Sequence, residues 1–320
     1  ILVNLTGSRV VALRSDKSIR VWRCGADKLF DPLLIEQPHG RPVESLSWHP
    51  KHEFTLATVG RDNMIKIWKI NSSGVSCERT IYVKDQRDLC QVSYSADGQR
   101  MVAVDLTGTV QVYSTKDYVV VGGIFKMSDS VCSVRWVNQG RVLIFGLKTG
   151  MIEVYGERNG ENGVETVREN SGGNGEEKDR EIYMETDSSP GLYLIQLLKG
   201  HRSGVTSLAI DPLGKFIVAG LNEGVVSIWG TKDLIVHRVL TSVDELVSRV
   251  DVSKDGQYLA VAFDGPVNAR IYDTSTLEQV TEVENSGNGV NVPGSIVWFP
   301  NKVGYMHVSD NGKTMTYVRR

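Results

Sequence analysis

The chain has 320 residues, of which 41% are hydrophobic and 23% charged, and its formal net charge is -2. This is the composition of an ordinary globular protein. No apolar run approaches the roughly 20 residues of a membrane-spanning helix, and the first residues lack a basic segment before a cleavage site, so we expect neither a membrane partner nor a secretory signal. The spacing of the four cysteines matches no zinc or disulfide framework, so we expect reduced thiols.

Seven short segments along the chain share one pattern, in which an apolar, a polar and an apolar residue precede an aromatic one; only the last copy lacks the aromatic residue. The copies recur about every forty to fifty residues, except that the step from the fourth to the fifth is longer by about thirty, and this is the period at which four short antiparallel strands form one blade of a propeller. They begin at Ile19, Ile65, Val110, Ile152, Val226, Ala269 and Met315.

A second series keeps the same spacing, at 43–48, 89–94, 131–136, 205–210, 247–252 and 293–298. Together the two series predict an all-β, seven-bladed propeller of four-stranded antiparallel blades. Its units are 1–36, 37–84, 85–126, 127–199, 200–242, 243–288 and 289–320. Because a single blade cannot bury both faces of its sheet, neighbouring blades have to stack. The last unit has no outer strand, so we expect a weak seam between the first and last blades.

The fourth unit carries an insertion at 156–191 that is rich in Gly, Asn and Glu. Its composition predicts a disordered acidic loop between the third and fourth strands of that blade. Three interpretations stay open: a solvated loop, an acidic tether for a basic partner, and a negative gate that repels nucleic acid from that side of the ring. The first unit is instead basic, with Arg9, Arg14, Lys17, Arg20, Arg23 and Lys28, and is either a nucleic-acid contact or a solvated surface.

The second unit resembles a WD repeat: His39 precedes its first strand, Thr58 closes the next, Asp62 lies in the following loop and Trp68 ends the third. In WD repeats these positions form a buried hydrogen-bond relay, so the resemblance implies structural roles. The fifth unit keeps His201 and Trp229. At the hydroxyl and acid positions it has Ala219 and Glu223, and we therefore expect that blade to depend more on packing.

In this family the central channel of the propeller is surrounded at its mouth by two sets of residues. One is the residue before the acid of the relay, such as Asp62, and the other is the residues at the start of the first strand. The resemblance therefore implies a partner-binding surface on the face of the relay loops. Arginine at such a rim makes strong contacts with carboxylate or phosphate groups. The candidate positions are Ser15, Arg41, Arg61, Lys148, Arg202 and Asn222.

Within the family, three stretches resemble the branch of WD-repeat subunits found in the THO complex, part of the TREX assembly that couples transcription to messenger RNA export. They are 39–50, 92–104 and above all 205–240. The resemblance implies a nuclear scaffold that contacts the large helical subunits of that complex and meets RNA indirectly. Splicing and chromatin scaffolds stay open as alternatives.

Two further classes are disfavoured by the sequence. A substrate receptor of a cullin ubiquitin ligase carries an Arg two residues after a Trp-Asp pair, and no Trp here precedes Asp. A heterotrimeric G-protein β-like subunit has a long N-terminal heptad helix, which this sequence lacks. No nucleophile triad, phosphate loop or metal-ligand spacing is present, so we expect no enzyme activity, cofactor, metal or small-molecule substrate.

Overall fold

A computed structural model describes residues 1–14, 16–25, 28–72, 74–84, 88–158, 191–241, 245–265, 267–284, 294–301, 304–309 and 314–319. These residues form seven antiparallel sheets, six with four strands and one with three, each in sequence order. The seven sheets are the blades of a propeller, which confirms the predicted fold class. Outside the strands, the described residues contain one short 3-10 turn, Asn138–Gly140.

The first four blades contain sixteen strands. Blade 1 has β1 (Leu2–Val3), β2 (Arg9–Leu13), β3 (Ile19–Cys24) and β4 (Leu29–Ile35). Blade 2 has β5 (Val43–Trp48), β6 (Thr55–Gly60), β7 (Met64–Asn71) and β8 (Gly74–Tyr82). Blade 3 has β9 (Leu89–Tyr94), β10 (Arg100–Asp105), β11 (Thr109–Ser114) and β12 (Phe125–Lys126). Blade 4 has β13 (Val131–Val137), β14 (Val142–Leu147), β15 (Ile152–Arg158) and β16 (Gly191–Leu198).

The last three blades contain eleven strands. Blade 5 has β17 (Val205–Ile210), β18 (Phe216–Leu221), β19 (Val226–Gly230) and β20 (Val236–Leu240). Blade 6 has β21 (Val247–Val252), β22 (Tyr258–Phe263), β23 (Val267–Asp273) and β24 (Gln279–Glu284). Blade 7 has β25 (Ser295–Trp298), β26 (Gly304–Ser309) and β27 (Thr314–Arg319). All seven copies of the aromatic pattern lie in the third strand of their blade.

The antiparallel order places the connections of each blade alternately on two faces of the ring. We call the face that carries the 39–42 and 61–63 loops the relay face, and the opposite face, which carries turns such as 95–99, the turn face. β15 and β16 are paired as far as Arg158 and Gly191, so both predicted limits of the insertion, Gly156 and Gly191, lie within strands. Their connection leaves on the turn face; residues 159–190 lie outside the described part of the chain.

Turns on the turn face repeat one design in blades 3, 5 and 6. A glycine with positive φ, at Gly98, Gly214 and Gly256, closes the turn between the first two strands. A threonine in the turn after the third strand then donates its hydroxyl to that glycine's carbonyl, at 2.6 Å in all three blades. The two turns of each blade are therefore fixed to one another.

The hydrophobic core is divided into seven clusters, one at each interface between neighbouring blades. Blades 3 and 4, for example, share the fully buried Phe145 and Leu143 with Val104 and Val110. Burial of such side chains between sheets is the main favourable contribution to the stability of the ring. Among the described residues, the cluster between blades 7 and 1 has four buried members, and every other cluster has more.

We expect the strands beside that small cluster, in blades 7 and 1, to open locally more often than strands elsewhere in the ring. The amides of β2 and β26 should exchange hydrogen faster than those of β10 and β18, because less apolar surface covers the seam. Hydrogen exchange followed by mass spectrometry measures this difference directly. Equal protection in all four strands would contradict a weak seam.

Candidate protein-interaction site

The relay of blade 2 joins four side chains in one hydrogen-bonded chain. Trp68 Nε1 donates to Thr58 Oγ1 at 2.9 Å, and the Thr58 hydroxyl lies 2.8 Å from His39 Nε2. His39 Nδ1 lies 3.0 Å from an Asp62 carboxylate oxygen and so donates its proton there. Burial lowers the pKa of His39, which keeps the ring neutral and consistent with this order of donors. Strand β7 is thereby tied to both loops of the relay face.

Blade 5 builds its relay with a residue that the sequence did not indicate. Trp229 Nε1 donates to Ser227 Oγ at 2.8 Å, and that hydroxyl lies 2.8 Å from His201 Nε2. His201 Nδ1 contacts the carbonyl of Gly150 at 3.2 Å, in the neighbouring blade. The expectation that Ala219 leaves this blade to packing was wrong, because Ser227 supplies the hydroxyl from the adjacent strand.

In blades 3 and 4 the residue equivalent to Ser227, two positions before the aromatic residue, is a glutamine and a glutamate. The Tyr113 hydroxyl donates to Gln111 Oε1 at 2.6 Å, and the Gln111 amide donates to a backbone carbonyl, that of Lys84, in the loop before β9. The Tyr155 hydroxyl donates to Glu153 Oε2 at 3.0 Å. The other oxygen of that carboxylate accepts from Ser128, in the loop before β13. The polar residue of the aromatic pattern is thus a buried acceptor in blades 3, 4 and 5.

A backbone hydrogen bond fixes the channel-mouth position in five blades. The residue after the second strand donates its N–H to the carbonyl of the residue directly before the first strand. The five donor–acceptor pairs are Arg61–Pro42, Leu106–Asp88, Lys148–Ser130, Asn222–Gly204 and Asp264–Leu246. Three predicted partner-binding residues, Arg61, Lys148 and Asn222, therefore occupy one equivalent place and are exposed.

The same position contains residues that the sequence prediction missed. Leu106 and Asp264 make the equivalent backbone bond in blades 3 and 6. In blade 1 the residue directly after the second strand is Arg14, one residue before the predicted Ser15, which lies outside the described residues. All three residues directly follow the second strand of their blade, so the position of that strand's end is the signal that identifies them.

Ion pairs divide the basic candidates of the relay face into two groups. Arg41 lies 3.3 Å from the carboxylate of Asp88, and Arg61 lies 2.6 Å from that of Glu44. Within the described part of the chain, neither Lys148 nor Arg202 has an ion pair, and both are exposed. Of the four basic candidates, these two are the ones that a partner can bind without displacing a carboxylate of the described residues.

Three of the six basic residues of blade 1 are buried or paired with carboxylates. Arg9 is buried, with its guanidinium 5.6 Å from the centre of the Phe54 ring. Arg14 pairs with Asp16 at 3.3 Å, and Arg23 pairs with Asp31 at 3.2 Å. The burial of Arg9 and the ion pairs of Arg14 and Arg23 argue against a phosphate-binding track along the blade.

A neutral histidine fixes the β5–β6 turn on the turn face. His49 is buried, and its Nδ1 accepts backbone N–H bonds from Lys51 at 3.1 Å and His52 at 3.0 Å. Burial lowers the pKa of His49 to about 4, with the nearby His52 and Lys51 adding to the effect. A protonated Nδ1 could not accept these bonds.

The described residues contain no group of three or more His, Cys, Asp or Glu side chains placed to hold a metal ion, and none of the four cysteines forms a disulfide. They include no helix with the length and hydrophobicity required to cross a membrane.

The family model "WD domain, G-beta repeat" matches residues 31–69 and 192–230. These segments contain the relays of blades 2 and 5. The chain is a seven-bladed propeller, and two of its segments match the WD repeat. Each match begins in or beside the outer strand of one blade and ends in or beside the third strand of the next, which is how a WD repeat links neighbouring blades.

Among curated proteins, the propeller is similar to THO complex subunit 3 of Arabidopsis thaliana, with 21% identity over 81% of this chain and 71% of that protein. It is 24% identical to WD repeat-containing protein AAC3 of Dictyostelium discoideum over 72% of this chain and 46% of that protein. It is 20% identical to protein TEX1 of Saccharomyces cerevisiae over 77% of this chain and 51% of that protein. The propeller therefore spans about half the length of the last two relatives.

We expect Ser227→Ala to lower the free energy of unfolding by about 1 to 3 kcal/mol, because it leaves the buried Trp229 and His201 nitrogens without their shared partner. Urea denaturation followed by tryptophan fluorescence measures the change. The control is Ser203→Ala in the loop before β17, whose buried hydroxyl has no hydrogen-bond partner among the residues that the structure describes. Similar losses from both substitutions would show that the Ser227 hydroxyl bonds contribute little.

The depressed pKa of His49 predicts that stability decreases in acid. The unfolded chain binds a proton near the ordinary pKa of 6.5 and the folded chain near about 4, so the free energy of unfolding falls as pH drops through that window. We expect a loss of order 2 kcal/mol from this group near the lower end. His49→Gln should flatten the dependence of the urea midpoint on pH. An unchanged slope would contradict the assignment.

Proposed function

We propose that this propeller is a non-catalytic protein-interaction scaffold in a THO-like nuclear assembly that couples transcription to messenger RNA export. Its partners are the large helical subunits of that assembly, and its contact with RNA is indirect. The observation that carries the proposal is a pair of cations, Lys148 and Arg202, that form no ion pair with any described residue and lie on adjoining relay-face loops of a chain similar to THO complex subunit 3.

The loops that carry these two cations are packed against each other. The Gly150 carbonyl contacts His201 Nδ1 at 3.2 Å, and a Cβ atom built at Gly150 would lie 2.5 Å from the Ser203 carbonyl oxygen. The positive φ of Gly150, 89°, also favours glycine there. Such close packing holds Lys148 and Arg202 on a rigid edge between blades 4 and 5, which reduces the entropy lost when a partner binds.

Charge supports a protein partner over direct binding of RNA. The chain has a formal net charge of -2 and a pI of about 6.4. Binding to a nucleic-acid backbone requires several cations along one path, because each neutralised phosphate contributes separately. Arg14, Arg41 and Arg61 on the relay face are already paired with carboxylates. Two adjacent free cations fit a few acidic side chains on a protein surface.

We expect the tagged protein, purified from nuclear extract, to retain the large THO subunits after ribonuclease treatment, because the contacts are made by protein. Mass spectrometry identifies the partners. Lys148→Glu combined with Arg202→Glu should reduce their recovery severalfold, since both cations become repulsive. The control is Lys215→Glu, an exposed substitution on the turn face.

Recovery of a splicing or chromatin assembly in place of THO subunits would reject the specific assignment. Loss of all partners on ribonuclease treatment would show that RNA bridges them. Equal recovery with the double variant and the control would show that the partner binds elsewhere on the ring.

A further inference from the structure

A cleft of about 740 Å³ opens between blades 2 and 3 on the turn face. Three turns line it, namely the β5–β6 turn with Lys51, the β9–β10 turn with Asp97 and the β11–β12 turn with Lys116. The paired strands β7 and β8 complete the wall with Lys69 and Arg79. The relay face has no part in this cleft, so it is separate from the Lys148 and Arg202 edge.

The lining of the cleft carries an excess of positive charge. Four of its side chains are cations, Lys51, Lys69, Arg79 and Lys116, and two are carboxylates, Glu78 and Asp97. Asp97 is already engaged, since its carboxylate accepts from the Ser95 hydroxyl and from the Gln99 backbone N–H. Across the described ranges, none of the three lysines makes an ion pair.

These cations lie on rigid supports. Neutral His49 holds the turn of Lys51 through the backbone N–H of that lysine. The turn of Lys116 is fixed by Thr115, whose hydroxyl donates to the Gly98 carbonyl at 2.6 Å and whose backbone N–H donates to Gln99 at 2.9 Å. The ends of both turns therefore need little ordering when a ligand binds.

The shape and chemistry of the cleft fit a peptide better than a nucleic acid. Single-stranded nucleic acids bind on exposed aromatic faces with a basic track beside them. Here the Tyr118 ring is covered by the Arg79 guanidinium, 5.2 Å from its centre, and Arg79 also donates to the Asp117 carbonyl. The next residue, Val119, is 54% exposed and extends the surface with an apolar side chain.

We propose that this cleft binds an acidic segment of a protein partner, whose carboxylates contact Lys51, Lys69 and Lys116 while an apolar residue covers Val119. The inference rests on the proposed scaffold function and adds a second binding face to it. A partner that contacts both faces, or two different partners, would then be held by one ring.

The test uses the purified full chain and fluorescence anisotropy at low salt, with a labelled peptide of alternating glutamate and serine as the probe. A peptide with glutamine in place of glutamate and an oligouridylate serve as comparison probes. The variant is Lys69→Glu with Lys116→Glu. The control is Lys232→Glu, because Thr231-Lys232-Asp233 forms the same turn in blade 5 as Thr115-Lys116-Asp117 in blade 3, on the same face.

We expect the double variant to weaken binding of the acidic peptide at least about tenfold, while the Lys232 control stays close to the parent protein. The glutamine peptide should bind weakly to all three. The acidic residues of 159–190 could compete for the cleft, so the series is repeated with that segment replaced by a short Gly-Ser linker.

Absence of peptide binding in both backgrounds, or equal losses in the variant and the control, would overturn the proposal. Tighter binding of the oligouridylate, lost in the double variant, would assign the cleft to nucleic acid instead. The Lys148 and Arg202 substitutions should leave peptide affinity unchanged. Failure of the proposal for this cleft is therefore distinguishable from failure of the proposal for the relay face.

Discussion

Blades 2 to 5 depend on a hydrogen bond that the aromatic residue of the third strand donates to a buried polar side chain. In blades 3, 4 and 5 the acceptor lies two residues earlier, at Gln111, Glu153 and Ser227. In blade 2 it is Thr58 on the adjacent strand. Each acceptor also contacts the loop before the first strand, so one interaction inside the blade sets the position of the loop that faces partners. A buried polar group left unpaired there would be costly.

The number of blades and the positions of their strands could be predicted from the sequence, because both follow from the regular spacing of two repeated patterns. The aromatic pattern and the second series each mark one strand per blade, and burial enforces their spacing. The role of Ser227 could not be predicted this way. Its hydroxyl substitutes for one on a neighbouring strand, and pairing between strands is not visible in a linear pattern. The ion pairs of Arg41 and Arg61 join different elements of the fold, Arg41 to the loop before β9 and Arg61 to strand β5, and were hidden for the same reason.

The two faces of the ring differ in how they hold their charges. On the relay face most arginines are neutralised by nearby carboxylates, and Lys148 and Arg202 stand apart on packed loops of blades 4 and 5. On the turn face the lysines of the cleft between blades 2 and 3 lack ion pairs within the described residues, although they are supported by His49 and Thr115. Rigid support with unsatisfied charge is the arrangement expected of surfaces that bind partners.

The backbone bond at the channel mouth uses no side-chain atom, and the five residues that donate it are Arg61, Leu106, Lys148, Asn222 and Asp264. A cation, an amide, an acid and an apolar residue are thus accommodated at one place with the same main-chain geometry. Mutation there can alter recognition at little cost to folding. Evolution can therefore vary the rim while keeping the ring, which is consistent with similarity over 72% to 77% of the chain persisting at 20% to 24% identity.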